Sequence, residues 1–140
     1  MTAFIGNPGD RVLVRISAVR EQKGPNGLFM SLSVSDDMEA GFVRIPATGS
    51  DIVSFTLSTE QWGELVKLIG KKTGAKFSKK SDKNGKPYQA ADRIVRLEIV
   101  VSQIKVEDLS RKVQVFTIGG NVVKITTRDK RAGNGIKLED

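Results

Sequence analysis

Seven lysines crowd residues 71–86: Lys71, Lys72, Lys76, Lys79, Lys80, Lys83 and Lys86, with Asp82 the one acidic residue among them. Phe77 and Tyr88 are set in or beside the same run. Ammonium groups at this density displace counterions from a polyanion, the sequence-independent part of nucleic-acid affinity. Aromatic rings among them offer faces on which bases stack. Two more cation–aromatic combinations occur upstream, Phe29 with Arg15 and Phe42 with Arg44, and Arg96 adds a cation downstream. Each has a plainer alternative. The lysine run would serve equally as a solvated linker, and each ring as core packing. For Phe29 both readings stay open, because its neighbours on the same strand face are Ser31, Ser33 and Ser35.

Catalysis has little to work with. The chain has no histidine and no cysteine, which removes the commonest general base, the usual partner of a nucleophilic serine, and the commonest soft metal ligands. Asp36, Asp37 and Glu39 lack the spacing of a calcium loop and read as an acidic surface turn. Residues 24–27, Gly-Pro-Asn-Gly, lack the lysine and hydroxyl that complete a phosphate loop. The expectation is a binding protein, not an enzyme, with no cofactor and no metal.

Charge divides the chain. Residues 1–70 hold 6 Lys+Arg and 8 Asp+Glu, a net of −2; residues 71–140 hold 17 and 8, a net of +9, which together give the +7 of the whole. A basic half beside a near-neutral half points to a polyanionic partner. No window has the length of a membrane span and no secretory signal opens the chain. The expected location is cytoplasmic or nucleoid-associated, not secreted and not in a membrane.

The positioning elements follow from hydropathy periods. Residues 11–20 and 28–35 read as strands joined through a Gly/Pro/Asn turn. In the first, Val12, Val14, Ile16 and Ala18 are expected on one face and Val19 on the other. In the second, Leu28, Met30, Leu32 and Val34 face the core. Residues 3–5 and 41–45 are shorter strand candidates. Residues 52–57 alternate into the one clear helix, residues 59–70. Ser58 is its N-cap and Gln61 completes a capping box. Trp62, Leu65, Val66 and Ile69 form its apolar face, and Gly70 is the expected C-cap. Residues 71–92 read as a basic loop. Residues 93–104 form a β-branched strand, 112–118 and 122–128 a hairpin about Gly119-Gly120-Asn121, and 129–140 a tail.

The stretch Leu57, Ser58, Glu60, Gln61, Trp62 and Leu65, where a strand turns directly into a helix, resembles the signature of the positive cofactor four family. Those single-stranded-DNA-binding transcriptional coactivators have bacterial and phage relatives and a fold kinship to the Whirly proteins. The resemblance covers about the first half of the chain. It implies an open sheet that lays single strands across its ridges, and a homodimer formed through helix and sheet. One amphipathic helix beside an open sheet also leaves apolar surface uncovered, which places Trp62, Leu65 and Ile69 near the expected dimer contact. Here the strand 28–35 is rich in serine and the turn 46–51 has no lysine, so the electrostatic part falls to residues 71–96.

The combined expectation is a single β-rich α+β domain over residues 1–140: a curved antiparallel sheet, one main helix and an additional C-terminal β region. A five-stranded oligonucleotide-binding barrel is the rival architecture. The expected function is non-catalytic, sequence-tolerant binding of single-stranded DNA or RNA in replication, recombination or transcription, in a phage or bacterium. The alternative is a structural or protein-interaction module with a basic surface.

Overall fold

The structure, a computed structural model, describes residues 2–5, 7–37, 39–45 and 47–128; the expected tail 129–140 lies outside them. Eight strands and one helix follow in the order β1 (Thr2–Ile5), β2 (Arg11–Gly24), β3 (Gly27–Asp36), β4 (Ile52–Ser58), α1 (Thr59–Thr73), β5 (Phe77–Ser81), β6 (Pro87–Ala91), β7 (Ile94–Asp108) and β8 (Gln114–Arg128). The fold is β-rich α+β, as expected. No helix among the described residues is long and apolar enough to cross a membrane.

The sheet closes on itself. Its order is β1-β7-β8-β4-β3-β2-β6-β5, and β7 pairs additionally with β2. The ring is therefore β2-β3-β4-β8-β7 and back to β2. β2, β3 and β4 form an antiparallel meander. β7 returns to lie beside β2, a Greek-key connection. β8 then enters between β7 and β4, antiparallel to the first and parallel to the second. A five-stranded Greek-key barrel is the architecture of the oligonucleotide-binding fold. The C-terminal strands, expected as an addition beside the first half, are two of the five staves. The sheet is antiparallel apart from the β4–β8 pair.

One apolar core fills the barrel, including the fully buried Val12, Val14, Val19, Leu32, Phe55, Leu97, Ile99, Phe116 and Ile118. α1 adds Trp62, Leu65 and Ile69 to it. Its start is as the sequence indicates: Gln61 N donates to Ser58 Oγ (3.0 Å) and Ser58 N to Gln61 Oε1 (2.9 Å). Its end is not. The helix runs past Gly70 to Thr73, and Gly74 (φ 76°) takes the left-handed cap, donating to Gly70 O at 2.9 Å. Thr73 Oγ1 also donates to Ile69 O, so the last carbonyls are served one turn later than expected.

Trp62, Leu65 and Ile69 are 6%, 7% and 0% exposed within a single chain, so they are not available to a partner, contrary to the expected dimer contact. The expectation rested on an open sheet with an uncovered apolar face. Closure removes that face.

Four local expectations are corrected. β2 does not alternate throughout: a bulge between Ile16 and Ala18 takes Ser17 out of the ladder register, its Oγ donating to Ser33 O (3.0 Å), and turns Val19 inward, opposite Leu32. Leu28, beside the two-residue turn Pro25-Asn26, is 56% exposed because β2 and β3 run beyond the barrel there. Residues 41–45 form no strand. They cross the start of β2, with Val43 N donating to Arg11 O (2.8 Å). Finally, Gly119-Gly120-Asn121 is not a turn. β8 runs straight through it, and the chain reverses instead at residues 109–113.

The glycines serve a close approach. A bulge at Ser102 brings β7 against them, and a Cβ on Gly120 would lie 2.3 Å from Val100 O. Gly120→Ala is expected to cost about 1–3 kcal/mol or more through forced backbone displacement. Gly119, whose added Cβ would meet side chains at 3.4 Å, should tolerate alanine within about 1 kcal/mol. Thermal melting of the two variants checks this; equal behaviour would restore the turn.

Candidate nucleic-acid interface

A barrel strand with one face in the core presents its other face outward. Around β2, β3 and β4 the inward residues are Val19, Leu32 and Phe55, in register with one another. The outward rows are therefore Arg20–Ser31–Thr56, Gln22–Phe29–Ser58 and Ala18–Ser33–Ser54. The last continues through Thr117 of β8 to Lys105 of β7. Between the flanking cations the floor is almost wholly serine and threonine. Ser54 is only 8% exposed, Ser31, Ser33, Thr56 and Thr117 are half-buried, and Ser58 is exposed.

The lysine-rich segment is a hairpin, not a loop, which corrects the expectation for residues 71–92. β5 pairs with β6, Phe77 opposite Ala91 through Ser81 opposite Pro87. The turn is built by Asp82: its Oδ1 accepts the N–H groups of Asn84 and Lys86, each at 2.9 Å, and Gly85 takes φ 78°. The Asn84-Gly85 pair carried this signal in the sequence. The hairpin joins the outer side of β2 through Val19 opposite Gln89 and extends the sheet as a wing.

Register sorts the wing residues between two faces. Phe77, Lys79 and Gln89 share the inward side with Val19. Phe77 is half-buried and meets Trp62 edge to face, centroids 5.1 Å apart, so it packs under the wing and is no stacking platform. Lys80 and Tyr88 lie directly opposite each other on the outward side. Arg20 joins them from β2. Its guanidinium lies 5.2 Å from the Tyr88 ring centroid, its Nη1 donates to Pro87 O (3.3 Å), and its Nη2 pairs with Asp82 Oδ2 (3.2 Å). One row, Lys80–Tyr88–Arg20–Ser31–Thr56, thus crosses five strands, about 19 Å at the usual strand spacing. Arg20 was not among the expected site residues, because only the β2–β6 pairing brings it to Tyr88.

The other expected residues divide. Phe29 lies on the outer face one row along, its ring against Gly24, where a Cβ would meet it at 3.1 Å. Arg15 is on the same face, opposite Arg96 of β7 and Ser35 of β3. Lys83 and Lys86 flank the wing turn, exposed. Lys71 and Lys72 are in the last turn of α1, where they complement its dipole. Lys76 opens the wing, its N–H held by Asp92 (3.0 Å). Phe42 and Arg44 lie in the 39–45 segment, away from the row, with Arg44 tied to Asp36 at 3.4 Å. Arg96 is held by Asp37 and Glu39, both at 2.5 Å. No lysine takes part in an ion pair among the described residues; arginine supplies the cation in each one.

Asp82 gives the wing a pH dependence. Its carboxyl is held below 3.8, first by the Lys86 N–H, against some desolvation, then by the Asn84 N–H and the Arg20 charge. As pH falls below 3.8 the unfolded chain takes up this proton before the folded one does, so stability that is complete above that value is lost through the acid range. Asp51, held down by the Thr48 and Gln114 N–H groups, acts with the same sign at the start of β4. Asp82→Asn should lower the melting temperature at pH 6 and flatten its decline between pH 4 and pH 2, as read by circular dichroism at each pH. An unchanged acid profile would contradict this role.

Family models, curated proteins and solved structures were compared with the chain, and none matches it.

Proposed function

We propose that the protein binds single-stranded nucleic acid, without base preference and without catalysis, along the outer row Lys80–Tyr88–Arg20–Ser31–Thr56 and the adjoining Phe29. The observation that carries this is the row itself: a cation, an aromatic ring and a guanidinium in register, followed by a floor of half-buried hydroxyls. Each part has a physical task. Lys80, with Lys83 and Lys86 at the turn, takes phosphates and releases counterions. Tyr88 and Phe29 offer ring faces to bases, which every base has. The Ser and Thr hydroxyls both donate and accept, and rotate to suit, so they satisfy any base edge alike. Sequence tolerance follows from that chemistry.

A duplex buries its base faces and gains only the electrostatic part, so preference for single strands follows from the rings. Architecture alone would not carry the reading, since folds of this class host many functions. The resemblance of residues 57–65 to positive cofactor four points to the same ligand, and to a setting in replication, recombination or transcription. The row is complete within one chain and needs no partner copy.

Fluorescence anisotropy with labelled oligothymidylate, at several salt concentrations, tests the reading. Tyr88→Ala should lose about 1–3 kcal/mol of affinity with the salt slope nearly unchanged, since stacking releases no counterions. Lys80→Gln should lower the slope by about 0.7, and Lys79→Gln, on the opposite face, by much less. Wild-type protein that ignores oligonucleotides at physiological salt would favour the protein-interaction module instead.

A further inference from the structure

Arg15 and Arg96 stand directly opposite each other on β2 and β7. Like charges in that position destabilise a sheet unless anions lie between them. For Arg96 the anions come from the segment after β3. Asp37 Oδ2 faces its Nε at 2.5 Å, off the hydrogen-bond line, and Glu39 Oε1 accepts from its Nη2 at 2.5 Å. Arg15 has no such supply. Its Nε is buried without a hydrogen-bond partner, and no carboxylate lies within ion-pair distance of it among the described residues. Asp36, the nearest in sequence to the strand end, is committed to Arg44 and to the Ile45 N–H (2.9 Å). A half-buried cation facing a second cation, with no partner of its own, is a cost the fold bears without structural return.

The pair also continues the hydroxyl floor. Ser35 lies opposite Arg15, two residues along β3 from Ser33. We propose that Arg15 and Arg96 form a second anion subsite, for a phosphate group of the bound strand, and that Glu39 occupies it in the free protein as an internal competitor. This deepens the nucleic-acid reading and rests on it for the identity of the strand. The phosphate would bridge the two guanidiniums, a geometry that suits their planar forks. Glu39, with a side chain 52% exposed, is the displaceable carboxylate; Asp37, at 14%, is the inner one that stays. The acidic segment thereby sets a threshold: only a ligand already held on the main row competes Glu39 away.

The test uses the full chain with two probes, inorganic tripolyphosphate and labelled oligothymidylate. Glu39→Gln should bind tripolyphosphate more tightly, by up to about fivefold, the equivalent of one exposed ion pair. It should also steepen the oligonucleotide salt slope by about 0.7, one more phosphate contact. Arg15→Gln in the Glu39→Gln background should abolish both gains without lowering the melting temperature, because it removes an unpartnered cation. A merely structural arginine would lower it. Equal tripolyphosphate affinity for wild type and Glu39→Gln, or a lower melting temperature in Arg15→Gln with anion affinity intact, overturns the inference. If both proteins bind oligothymidylate alike, only the subsite falls. If tripolyphosphate responds as expected and neither protein binds the oligonucleotide, the subsite stands and the nucleic-acid reading falls.

Discussion

The ladder between β2 and β7, Arg11 opposite Val100 through Arg15 opposite Arg96, is the constraint on which the rest depends. Without it the sheet is an open ribbon with an apolar face that one helix cannot cover. With it the face is wrapped inside, the helix joins Trp62, Leu65 and Ile69 to the same core, and much of the outer face of β3 and β4 carries polar side chains. That face holds Ser31, Ser33 and Ser35 on β3 and Ser54, Thr56 and Ser58 on β4, with Phe29 and Ile52 as its apolar members. Closure also brings Arg15 and Arg96 face to face, a juxtaposition no open sheet of these strands would force.

Cations are divided by chemistry. Arginines, with planar multi-donor heads, take the fixed pairings: Arg11 with Glu98, Arg44 with Asp36, Arg96 with Asp37 and Glu39, and Arg20 with Asp82. Most are partly exposed and each contributes little to stability, roughly 0–1 kcal/mol. Their effect is geometric: Arg20 sets the wing against β2, and Arg96 holds the acidic segment. The described lysines are exposed and outside every ion pair among the described residues, which leaves their ammonium groups available to phosphates.

Much was legible in the sequence where the cause is local. The capping box of Ser58 and Gln61, the alternation of Met30, Leu32 and Val34, and the strand-to-helix change at residue 58 each depend on neighbours a few residues away. What escaped depends on pairing across the chain. Val19 turns inward because of a bulge that only the β3 register reveals. Gly119-Gly120 reads as a hairpin until β7 is laid against it and Val100 O fills the space of a Cβ. The wing looked like a loop because its strands carry few apolar residues, although Asn84-Gly85 marked its turn. At the interface, Phe29, Lys80 and Tyr88 were found by composition and share the outer face, whereas Phe77 packs under the wing. The serines of β3 alternate visibly in the sequence, whereas Arg20 beside Tyr88, and Ser54, Thr56 and Thr117 beside those serines, emerge only once strands are in register.

The account stands on one surface being the binding face, and photo-crosslinking locates that surface directly. An oligonucleotide carrying 5-bromodeoxyuridine, irradiated in complex with the protein and digested, should leave its adducts on peptides containing Tyr88 and Phe29, both on the outer row and its neighbour. Adducts confined to the end of α1 around Lys71 and Lys72, or to the inward side of the wing at Lys79, would contradict it.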